Sequence, residues 1–134
     1  MSTVTSDEQH ALKKILSLDL EPMKGKLMDA ERGLGWSDQQ AEEAEKWYKR
    51  FLFLHFKYPG KCLVPTSLID ELWHCHILDT QKYAADCDSI FGEFLHHVPT
   101  YGSNTADDEE AMKSTFEETK KLFDREFGTG YLIS

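Results

Sequence analysis

The sequence predicts an all-α protein, a single compact domain of five or six helices spanning residues 1–134 around an aromatic core. Three observations carry this prediction. Helix-start signals, a Ser, Thr or Asp followed by acidic or amide residues, recur along the chain. Apolar residues repeat at helical rather than alternating spacing, so strand signals are almost absent. The composition, 40% hydrophobic and 12% aromatic, is enough to build a core in 134 residues.

The elements follow in order. Ser6-Asp7-Glu8-Gln9 reads as a capping box opening a first helix, with Leu12, Ile15 and Leu16 on one face. Pro22 suits the first turn of a short second helix carrying Met23, Leu27 and Met28. Gly33-Leu34-Gly35-Trp36 breaks the chain, and Ser37-Asp38-Gln39-Gln40 repeats the capping-box pattern. The helix it opens has the clearest stripe of all: Ala44, Trp47, Tyr48, Phe51, Leu54 and His55, stopped by Pro59-Gly60. Pro65-Thr66-Ser67 starts another helix with Leu68, Ile69, Leu72 and Trp73 inward. Asp79 or Thr80 is an N-cap, so the chain breaks there and restarts with Tyr83, Ala84, Cys87, Ile90 and Phe91, closed by Gly92. Residues 98–105 form the longest loop. Thr105-Ala106-Asp107-Asp108 opens the last helix, with Met112, Phe116, Thr119, Phe123 and Phe127 inward and Gly128 as its stop. Trp47, Phe51, Leu72, Trp73, Phe91, Phe116 and Phe123 are the expected core.

Charge and cysteine content narrow the function. Fifteen Lys and Arg against 24 Asp and Glu give a net charge of −9. Such a surface repels a phosphate backbone or an anionic bilayer, so neither nucleic acid nor a membrane is an expected partner. No apolar run approaches the ~20 residues of a membrane span. The opening residues lack the basic and apolar regions of a signal peptide, which leads to a cytoplasmic expectation. Cys62, Cys75 and Cys87 are an odd set with no C-x-x-C, so free thiols are expected.

One stretch carries potential chemistry. Four of the six histidines, His74, His76, His96 and His97, crowd together with Asp70, Cys75, Asp79, Asp86, Cys87, Asp88 and Glu93. Imidazole, thiolate and carboxylate at this density are the ligand set of a borderline-soft divalent metal such as zinc or iron. Asp70 and His74 share one helix face. His74 and His76 lie about 200° apart on an ideal helix, so they converge only if the helix unwinds near residues 75–77. A third imidazole from His96 or His97 would then complete a site with an open position, with Asp70 as ligand or orienting acceptor. Two other readings stand beside this one. In the first, the histidines are structural, with Asp70 pairing His74. In the second, Cys75 or Cys87 works with a histidine, although the surrounding acids raise rather than lower a thiol pKa. His10 and His55 read as surface or core residues.

The segment Asp70-Glu71-Leu72-Trp73-His74-Cys75-His76, with Tyr83, Cys87, Gly92 and His97 downstream, resembles the shared domain of glycine-rich domain-containing proteins. That domain reads Asp-x-x-Trp-His-x-His, Tyr-x-x-x-Cys, Gly, then His, and the likeness covers residues 47–128. No glycine-rich stretch occurs within these 134 residues, so a minimal version of the domain is expected. The resemblance places His74, His76 and His97 at the family's histidine positions and Asp70 and Cys87 at its acid and thiol, with His96 and Asp79 as additional candidates. It implies no settled activity. Two functions from different classes therefore compete. One is a small metalloprotein, possible as a hydrolytic zinc or oxygen-activating iron enzyme acting on a small-molecule substrate. The other is a non-catalytic module for a protein partner, in which the Trp-His-x-His segment is structural. No glycine-rich phosphate loop supports nucleotide binding.

Overall fold

The computed structural model describes residues 6–96 and 106–128, with the side chains of 106–109 and 112 excepted. It contains six helices and, among the described residues, no strand: α1 Ser6–Leu16, α2 Glu21–Met28, α3 Asp38–Lys57, α4 Ser67–Leu78, α5 Thr80–Phe91 and α6 Ala106–Phe127.

Helix boundaries follow their capping chemistry. Ser37 and Gln40 form the reciprocal capping box that starts α3: the Gln40 N–H donates to Ser37 Oγ and the Ser37 N–H to Gln40 Oε1. Thr66 caps α4 by accepting from the Ile69 N–H. Asp79 ends α4 and starts α5, its carboxylate accepting from the Lys82 N–H. Gly92 closes α5 at φ +74°, a left-handed position that favours glycine. Ser6 is already the first helical residue of α1, with Asp7 and Glu8 in a first turn where negative charge is favourable.

Helix α3 is the axis of the bundle, packed by α1, α2, α4 and α6; α5 packs on α1 and α4. Its stripe is fully enclosed at Ala44, Tyr48, Phe51 and Leu54. Phe51 stacks nearly parallel to Phe123 of α6, at 6.3 Å between ring centroids, and meets Trp73 of α4 edge-on at 5.1 Å. Trp47 packs on Phe123 at 5.6 Å. Thr119 ties α6 to the α3–α4 connection, accepting from the Val64 N–H at 3.0 Å while donating to the Thr115 carbonyl. Lys57 Nζ sits 2.8 Å from Glu126 and 3.6 Å from Glu8, linking α6 and α1 across the end of α3.

Of the expected core, Trp47, Phe51, Leu72, Trp73 and Phe123 are buried, whereas Phe91 and Phe116 are only partly so. Phe91 is the last residue of α5, where the covering layer ends. Phe116 lies on α6, which among the described residues packs chiefly on α3. Leu16, expected on the inner face of α1, is exposed at that helix's end. The expected inward position of Met112 and the loop at 98–105 fall on residues or side chains outside the described set, apart from the helix start itself.

Candidate functional site

Helix α4 does not unwind at residues 75–77. It continues to Leu78, and the break falls at Asp79, one turn past the point where the two histidines would need it. His74 and His76 therefore leave the helix on opposite sides. The His76 residue is 1% exposed, whereas 51% of the His74 side chain faces solvent. His74 Nε2 stands 3.7 Å from Asp70 Oδ1 along the outer face, the i,i+4 relation expected of that pair.

His76 enters the core and both of its ring nitrogens are engaged. Nδ1 lies 2.7 Å from the Tyr48 hydroxyl of α3, and Nε2 lies 2.8 Å from Asp86 Oδ2 of α5. A carboxylate accepts, so Nε2 carries the proton, and Nδ1 accepts from the tyrosine O–H. Lys82, one turn before Asp86, places its ammonium 3.2 Å from the same carboxylate oxygen. Burial pushes the His76 pKa down, and the hydrogen bond and charge of Asp86 oppose that shift. Burial holds the Tyr48 phenol well above its ordinary range, so at neutral pH it is a hydrogen-bond donor and not a nucleophile.

A second connection runs beside the first. Trp73 Nε1–H donates to the Tyr83 hydroxyl at 2.9 Å, and that hydroxyl donates onward to the Leu95 carbonyl at 2.6 Å. The Tyr83 ring meets His76 edge-on at 4.9 Å. Trp73 and His76 thus project from α4 into one shell with Tyr48, Tyr83 and Asp86, and join α3, α4, α5 and the segment after α5. The arrangement fixes helices relative to one another.

The remaining candidates do not join this shell as a ligand set. Cys87 is buried and Cys75 half-buried, and burial raises both thiols. All three cysteines are unpaired. Asp79 is occupied as a helix cap. His96 is exposed, its ring 4.9 Å from that of Phe94, and His97 lies outside the described residues. Among the described residues, no group of three His, Cys, Asp or Glu side chains gathers to hold a metal.

Sequence reasoning missed the partners of His76. Tyr48 was legible only as a stripe residue, and Asp86 only as one acid among several. Pairing them with His76 requires knowing how α3 and α5 cross α4. His55, placed on the α3 stripe and read as a surface or core residue, meets Phe51 edge-on at 4.7 Å and lies tilted against Trp73 at 5.8 Å. Among the described residues no hydrogen-bond partner reaches its buried Nε2, and burial takes its pKa down to about 4.

Comparison with known proteins places the sequence in a family. The chain is 30% identical over 99 residues to glycine-rich domain-containing protein 1 of Arabidopsis thaliana, an alignment covering 71% of the chain. It spans only 12% of that relative's length. No solved structure matches. The UCP032817-like family profile matches residues 14–121, which reaches from α1 through most of α6, and the chain therefore belongs to the UCP032817-like family.

Proposed function

We propose that the protein is a non-catalytic helical module whose Trp73-His74-Cys75-His76 segment is structural. The observation that carries this reading is the double engagement of His76: Tyr48 and Asp86 occupy its two nitrogens at 2.7 and 2.8 Å, leaving no lone pair for a metal without breaking a buried hydrogen bond. The opposed directions of His74 and His76 on a continuous α4 support the same reading. So does the relative of known sequence, in which the matched stretch is a small part of a much longer chain, as befits a self-contained unit used beside others.

The competing reading is a zinc or iron centre on His74, His76 and His97 with Asp70. Elemental analysis of untagged protein, before and after incubation with zinc and ferrous iron and removal of the excess, separates the two. A structural segment gives metal well below one equivalent, unchanged by His74→Ala. One equivalent of tightly held metal that is lost in both His74→Ala and His76→Ala overturns the proposal in favour of the metal centre.

A further inference from the structure

Away from the His76 shell, α1 and α5 flank a surface groove of about 530 Å³, within the size range of small-molecule sites. Lys13, Lys14 and Lys82 line it, three lysines around one groove on a chain of net charge −9. Two of the three are held only lightly or within the groove itself. Lys14 Nζ donates to a neutral carbonyl, that of Ser89, at 2.8 Å. Lys82 shares Asp86 with His76. The groove's other carboxylate, Asp19, accepts from the Glu21 N–H at the start of α2.

We propose that this groove binds a small oxyanion-bearing molecule, a phosphate or carboxylate compound, through Lys13, Lys14 and Lys82. Lys13 and Lys14 of α1 and Lys82 of α5 line the groove together, so an anion entering it can gain charge-assisted hydrogen bonds from more than one helix, which no single surface lysine provides. The floor of the groove gives the site a specific signature. Asp86 lines the groove and accepts from His76 at the same time. An anion that draws Lys82 toward itself removes part of the charge facing Asp86, and the change reaches the His76 ring in the core. Ligands on ordinary surface lysines have no such route.

The test is a titration of the full chain with inorganic phosphate, and separately with succinate, at constant ionic strength, followed by ¹H–¹⁵N spectra of the backbone and imidazole groups. The expected result is saturable shifts at Lys14 and Ser89 together with a saturable shift of the His76 ring nitrogens, for at least one of the two anions. Which anion saturates at lower concentration identifies the phosphate or the carboxylate class. The double variant Lys13→Gln/Lys14→Gln should weaken the apparent affinity at least tenfold, and Ser89→Glu, which sets a carboxylate beside Lys14, should abolish saturation. Lys46→Gln, on an exposed i,i+3 pair with Glu43 elsewhere, should leave it unchanged. Both groove changes are at exposed positions, and an unchanged near-ultraviolet circular dichroism spectrum verifies folding. Shifts that grow linearly with both anions, shifts at the groove that leave His76 unmoved, or saturation indifferent to the groove variants overturn the proposal.

Discussion

His76 lies in the core and His55 is half-buried at its edge, both near Trp73, and the structure treats them in opposite ways. His76 has a hydrogen-bond partner on each nitrogen and an ammonium behind its carboxylate. His55 meets the Phe51 ring edge-on, lies tilted against Trp73, and has no partner at Nε2 among the described residues. Both imidazoles are held neutral by burial, but only one compensates for its desolvation. A buried histidine therefore does not have one meaning. The first is a joint between three helices, whereas the second is an amphipathic side chain packed against aromatic rings with no partner at Nε2 among the described residues.

The contrast sets the expected effects of substitution. The largest belongs to His76→Ala, which opens a cavity and strips partners from the buried Tyr48 hydroxyl and from Asp86; a loss of about 3–5 kcal/mol is expected in urea unfolding. A loss below about 1 kcal/mol would remove His76 from the structural account.

Acid is the next lever. The folded-state pKa of His55 is about 4 against an ordinary 6.5. A group depressed in this way contributes stability that is fully present above pH 6.5 and is lost as pH falls through that value toward 4. The unfolded chain then binds the proton that the folded chain refuses. Between pH 7 and 5 the loss from His55 is about 2 kcal/mol, and His76 acts in the same direction. In His55→Phe the slope over this interval should flatten, while stability at pH 7 stays level or rises by about 1 kcal/mol because an unsatisfied polar atom has gone. An unchanged pH slope in that variant would show that His55 is not held neutral by burial.

A smaller effect is expected from Trp73→Phe. It removes the indole N–H from Tyr83, but the Tyr83 hydroxyl keeps the Leu95 carbonyl. One net hydrogen bond and some packing are lost, about 1–2 kcal/mol by thermal or urea unfolding. A loss matching His76→Ala would mean that the indole, not the imidazole, organises the shell.

These particular residues also show which parts of the molecule were legible in the sequence. Caps are local chemistry, so Ser37, Thr66, Asp79 and Gly92 announced the starts and stops of α3, α4 and α5 within a residue or two. The 3.6-residue stripe did the same for the side of α3 that meets the core. Two placements depended on the ends of elements, where periodicity says least, and there Phe91 and Leu16 came out more exposed than their stripes suggest. The site was less legible still. The Trp-His-x-His segment supplies His76 to the buried shell, and the 200° separation of its histidines made their convergence conditional on a break within α4. The same cap at Asp79 that was visible in the sequence fixes the break too late for that. His76 finds its partners 28 residues before it and 10 after it, on two other helices. Only the packing of α3 against α4 and of α4 against α5 selects Tyr48 and Asp86 over the other hydroxyls and acids nearby.

The most direct test of a structural His76 is the difference in unfolding free energy between His76→Ala and His74→Ala, two residues apart on one helix, measured at pH 7 with and without a strong chelator. With His74 on the solvent side and His76 in the core, His74→Ala should fall within about 0.5 kcal/mol of the parent and His76→Ala at least about 2 kcal/mol below His74→Ala, with the chelator changing none of the three proteins. Equal losses for the two variants, matched by an equal loss when chelator is added to the parent, would contradict it.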